Sequence, residues 1–118
     1  MSEVLNPADM EKAIQEISRR IHKGVRVVTD AEGHAREKRR QYDHAFALAY
    51  MTHEGPAHEK RYAAEVATTE QRAAAEDAEV AFRHAERNAR ALENELRATQ
   101  SIGASIRAMY ASERGFGS

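Results

Sequence analysis

Apolar and polar positions alternate along this chain with the spacing of helices. Met10, Ile14, Ile17 and Ile21 recur at steps of four, three and four, which places them on one helical stripe. Asn6-Pro7-Ala8-Asp9 just before them reads as a helix start: Asn6 can cap, proline suits the first helical position, and Asp9 complements the dipole. Gly24 predicts an interruption. Val25, Val27 and Val28, β-branched and beside it, could be a short strand or the entry to a second helix; helix or turn is the favoured reading, so residues 1–28 are expected to form an N-terminal helix and its connection.

Residues 29–53 show a second helical pattern despite Gly33, with a small-residue face (Ala31, Ala35, Ala45, Ala49) pegged by Tyr42, Phe46 and Tyr50. Glu54-Gly55-Pro56 is the clearest break, since glycine ends helices and proline starts them. From 57 to 112 nothing forces a stop, and Tyr62, Val66, Thr69, Ala73, Val80, Ala91, Leu96, Thr99, Ile102, Ile106 and Met109 fall mostly on three- and four-residue steps. Such a helix would run roughly 80 Å. Thr68-Thr69-Glu70 is the expected kink at 68–70, because paired β-branched hydroxyl residues are poor in mid-helix. Residues 113–118 read as a loose tail. The fold class is therefore all-α, one helical domain over 1–118: a short N-terminal helix followed by a long antiparallel helical hairpin.

Composition adds a reason to expect assembly. Alanine accounts for 23 residues, while Ile, Leu, Val, Phe, Met and Tyr together supply 26. Alanine favours helix and close helix approach but buries little surface. A thin-cored subunit gains stability by packing on copies of itself, so a homo-oligomer is expected. The absence of cysteine excludes disulfides, thiolate metal sites and a cysteine nucleophile. No run approaches a membrane span, and the N-terminus lacks the pattern of a signal peptide, so a soluble, cytoplasmic protein is expected.

Charge is unevenly spread beneath a net of −1. Residues 19–40 carry eight basic against three acidic side chains, whereas 63–100 carry five against eight. The run Arg36-Glu37-Lys38-Arg39-Arg40, followed by Tyr42, His44 and Phe46, combines cations with aromatics, the pairing that holds single-stranded nucleic acid. Lys60 and Arg61 lie just past the turn and would approach it in a hairpin. The alternative is a solvated helix face with Tyr42 and Phe46 in the core. His53 and His58 flank the turn without metal-ligand spacing, and no metal or other cofactor is expected. Glu79→Arg83, Glu86→Arg90 and Glu93→Arg97 read as surface pairs, and no phosphate loop or nucleophile elbow is present, so no catalytic role is expected.

Leu96, Ile102, Gly103, Ile106 and Met109, with small Ser101, Ala104 and Ser105, form a C-terminal stripe whose glycine implies close approach of another helix; self-assembly and packing within the chain both explain it. Through the spacing of Leu96, Ala98, Ser101, Gly103, Ile106, Arg107 and Met109, the chain resembles the bacteriophage recombination mediator proteins of the UvsY type. The order of parts agrees over roughly 35–112: a basic helix ending in Tyr42 and Tyr50, a turn at Gly55, then Tyr62 opening a long helix. The resemblance implies binding of single-stranded DNA, ring-shaped homo-oligomers, and loading of a RecA-like recombinase onto DNA coated with single-strand-binding protein, in the cytoplasm of the bacterial host. It also implies that Leu96, Ile102, Gly103, Ile106 and Met109 are subunit contacts. The family's basic residues before the glycine turn are replaced here by Phe46-Ala47-Leu48-Ala49-Tyr50. Arg36, Lys38, Arg39, Arg40, Lys60 and Arg61 are thus candidates by charge and nearness to the turn. The rival expectation is a coiled-coil scaffold, assembly chaperone or adaptor with no nucleic-acid role. A duplex-binding regulator fits less well, for want of a compact recognition-helix unit.

Overall fold

A computed structural model describes residues 6–117, and they are helical almost throughout. Helix α1 runs Pro7–Thr52, α2 Ala57–Ala67 and α3 Thr69–Gly117. The start of α1 is capped as its sequence dictates. The Asp9 backbone N–H donates to Asn6 Oδ1 at 2.9 Å, while Asn6 Nδ2 donates back to Asp9 Oδ2 at 2.8 Å.

The expected interruption at Gly24 does not occur: residues 7–28 and 29–52 are one helix. An interior glycine costs only about 1 kcal/mol, less than packed flanks on both sides return. Val25 and Val27 sit on its exposed side, so their branching breaks nothing. The helix ends at Thr52, whose hydroxyl donates to the Leu48 carbonyl at 2.9 Å. Gly55 follows at φ +146°, and Pro56 then accepts the amides of Glu59 and Lys60 to start α2.

The break expected at 68–70 is present and narrow. Thr68 leaves helical geometry at φ −113°, ψ 22°. Its hydroxyl and amide both donate to the Ala64 carbonyl, at 2.7 and 3.1 Å, and its side chain is 2% exposed. The Thr69 hydroxyl donates to the Val66 carbonyl at 2.9 Å. Two hydroxyls thus bond back to carbonyls of the preceding turn at the bend. At the other end, the expected loose tail is helix as far as Gly117, while residues 1–5 and 118 lie outside the described region.

The chain divides into two compact units. One joins α1 up to Arg26 with α3 from Arg87, and the other is Val27–Glu86. In the first, Met10, Ile17, Leu92 and Ile106 are buried. In the second, the buried residues are Ala35, Ala64, Ala75, Ala78 and Thr68. The inward positions of α1 alternate steps of four and three from Met10 through Ile14, Ile17 and Ile21 to Ala35, Tyr42 and Ala49. Those of α3 do the same from Ala75 through Ala78, Phe82 and Leu92 to Gly103 and Ile106. A seven-residue repeat therefore underlies both long helices. The stripe read from sequence over 57–112 meets this repeat at Leu96, Thr99 and Ile106 but departs from the buried face before them. Val66 and Val80 are 77% and 64% exposed, and Ala73 and Ala91 are exposed as well. Where alanine fills both faces, a lone valine does not mark the inner one.

Candidate nucleic-acid interface

The unit of residues 27–86 holds all six basic candidates. On α1, rings one turn apart form a ladder. Tyr42 and Phe46 meet edge-on with centroids 6.2 Å apart, and Phe46 and Tyr50 lie more nearly parallel at 6.5 Å. The spacing is a direct result of sequence, because residues four apart share a helix face. Cations close both ends: the Arg39 guanidinium lies 5.7 Å from the Tyr42 centroid and Lys60 Nζ lies 6.0 Å from that of Tyr50. Both are within cation–π range. Next to Lys60 on α2, the Arg61 guanidinium lies 5.9 Å from the ring of Tyr62, which is 61% exposed. All three ladder rings are half-buried, so the reading that places Tyr42 and Phe46 in the core accounts for only part of each ring.

The turn brings Lys60 to the ladder but not every candidate with it. Arg36 pairs with Glu32 at 3.0 Å, and Arg40 with Glu37 at 3.4 Å. Arg39 also pairs with Asp43 at 3.3 Å, and Arg61 with Glu65 at 3.4 Å. Lys38 falls on the inward repeat, half-buried beside Gln41, Glu70, Gln71 and Ala74. Four of the six cations therefore have a carboxylate within one turn, exposed enough that an incoming phosphate can compete for the cation. At the turn itself, Glu59 lies 3.9 Å from His53 and packs over Gly55, where its Oε2 would stand 2.5 Å from an added Cβ.

Sequence reasoning missed Arg72, Phe82 and Arg83, which share a groove with Arg36, Arg39 and Tyr42. The signal was the register of α3: once Ala75 and Ala78 face inward, positions 72, 76, 79 and 83 must flank them. Of the expected surface pairs, Glu79–Arg83 forms at 3.1 Å, while Arg97 bonds Asn94. Among the described residues, no three His, Asp or Glu side chains converge to hold a metal ion, and no helix is long and apolar enough to cross a membrane.

The C-terminal stripe splits in two. Gly103 and Ile106 are buried and Leu96 is half-buried within their own unit, and a Cβ on Gly103 would meet Met10 and Ile14 at 3.8 Å. The close approach inferred from Gly103 is thus met by α1 of the same chain. Ile102 and Met109, 47% and 61% exposed, remain on the surface. Comparison with protein-family models, curated proteins and solved structures returns no match for this chain.

Proposed function

We propose that this chain is a non-catalytic subunit that folds as an antiparallel helical hairpin, assembles as a homo-oligomer and binds single-stranded DNA. In the role implied by its likeness to the UvsY-type mediators, it would help load a RecA-like recombinase onto DNA coated with single-strand-binding protein, in the cytoplasm of a phage-infected bacterium. The observation that carries the DNA reading is the ladder. Within one unit, Arg39, Lys60 and Arg61 each lie over a tyrosine ring, and Phe46 joins two of those rings. Half-open aromatic faces accept bases of any identity, and the cations beside them accept phosphates. The expected binding is weak in sequence preference and steep in salt dependence.

Fluorescence anisotropy of a labelled oligo-dT at low and moderate salt tests this reading. Combined Arg39→Glu and Lys60→Glu substitutions should weaken binding at least about tenfold, the scale expected for replacing two phosphate contacts with repulsive charges. An oligomer that ignores oligo-dT even at low salt would refute the DNA role.

A scaffold or adaptor with no nucleic-acid role is the second reading. It is favoured by the charge compensation of Arg36, Arg39, Arg40 and Arg61, each paired with a nearby carboxylate. On that reading anisotropy stays flat while the oligomer persists.

A further inference from the structure

Beside the inward faces of α1 and α3, the 27–86 unit carries a groove of about 860 Å³. Its floor includes Ala35 and Ala75, both buried and both too short to fill the space above them. Tyr42 and Phe82 wall it, and Val80 presents an exposed aliphatic side chain to it. Seven charges line the groove: Glu32, Arg36 and Arg39 from α1, then Arg72, Glu76, Glu79 and Arg83 from α3.

We propose that a second copy of this chain seats on this groove, the two 27–86 units pairing about a two-fold axis. The inference rests on the self-association proposed above and supplies its face, which is not the C-terminal stripe. Charge selects the occupant.

A two-fold interface sets the same patch against itself, so a patch of one sign repels its own copy. Four arginines interspersed with three glutamates can pair across such an axis. The same glutamates oppose a polyanion, which makes the groove a poorer nucleic-acid channel than the ladder. Phe46, Tyr50 and Lys60 do not line the groove, so ladder and groove meet only at Arg39 and Tyr42. Val80, 64% exposed at the groove, gives the two-fold pairing an aliphatic side chain to bury at its centre.

The experiment is molar mass by light scattering across a concentration series, with far-UV circular dichroism on every variant. Arg72→Glu with Arg83→Glu turns the groove acidic, and Glu76→Arg with Glu79→Arg turns it basic. Each variant alone should dissociate at concentrations where the wild type is paired, and an equimolar mixture should recover the paired mass. Val80→Glu, at an exposed position that the fold does not need, should raise the dissociation constant about thirtyfold or more if valine is an anchor of the face. It also decides the matter if either charge-reversed chain loses helix. Wild-type mass in the Val80→Glu and charge-reversed variants overturns the proposal. If the double variant Ile102→Glu, Met109→Glu then dissociates, self-association stands and only its face was wrong. A wild type that is monomeric at every concentration overturns both. Unchanged mass together with lost oligo-dT binding in the Arg72→Glu, Arg83→Glu chain overturns the pairing and makes the groove a nucleic-acid site.

Discussion

The two units fill the same helical repeat in opposite ways. The unit of α1 up to Arg26 and α3 from Arg87 buries large aliphatics, Met10, Ile17, Leu92 and Ile106. The unit of residues 27–86 buries Ala35, Ala64, Ala75 and Ala78. Large side chains hold helices together by the apolar area they remove from water. Alanines contribute far less area each, but they let backbones approach and free the flanking positions for other chemistry. The aromatic ladder and the charged groove both lie in the alanine unit. Large buried side chains and the candidate binding chemistry thus lie in different parts of one chain.

The comparison can be broken most forcefully in the aliphatic unit. Leu92→Ala should cost about 2–4 kcal/mol in urea unfolding, from lost transfer free energy and the cavity left behind. A cost below about 1 kcal/mol would mean that Leu92 is not the anchor its burial indicates. In the alanine unit the damaging change is enlargement. Ala64 is 0% exposed, and Ala64→Leu should destabilise by about 1–3 kcal/mol through overpacking. If instead it stabilises, the alanine seam is looser than close approach requires.

Gly103→Ala works in the favourable direction. The added methyl reaches Met10 and Ile14 at ordinary contact distance, 3.8 Å, so the helix-propensity gain of about 1 kcal/mol should appear as a higher melting temperature. Destabilisation there would show a tighter seam than those distances imply. The smallest effect belongs to Arg83→Ala. Its pairing with Glu79 is exposed and of the i,i+4 kind, so stability should change by no more than about 0.5 kcal/mol, less still at high salt. A larger loss would mean that the groove residues hold the monomer together as well as face outward.

How legible each region was in the sequence follows the same division. In the aliphatic unit, Met10, Ile14, Ile17 and Ile21 stand out against polar neighbours, and their stripe is the one the structure uses. The cap at Asn6, the turn at Gly55 and the bend at Thr68 were equally plain, because each depends on the chemistry of one or two residues. The alanine-rich stretch gave a different result. Val66 in α2 and Ala73 and Val80 in α3 read as inner-face positions, yet Ala64, Ala75 and Ala78 are the buried ones. Alanine is nearly indifferent to burial, so the partner helix fixes which face turns inward. The aromatic ladder was readable from the spacing of Tyr42, Phe46 and Tyr50, whereas Arg72, Phe82 and Arg83 became candidates only once that face was known.

The short connection at residues 53–56 also sets an order in time. Ala35 and Ala75, on the groove floor, are ~40 positions apart along the chain, while Met10 and Gly103, which meet in the other unit, are separated by more than ~90, so closing the first pair costs less chain entropy. The alanine unit is therefore expected to form first around its turn and the aliphatic unit to close last. Substitutions at Ala64 should then slow folding, while those at Leu92 should chiefly speed unfolding. The half of the molecule richest in binding chemistry would take shape before the half that secures it.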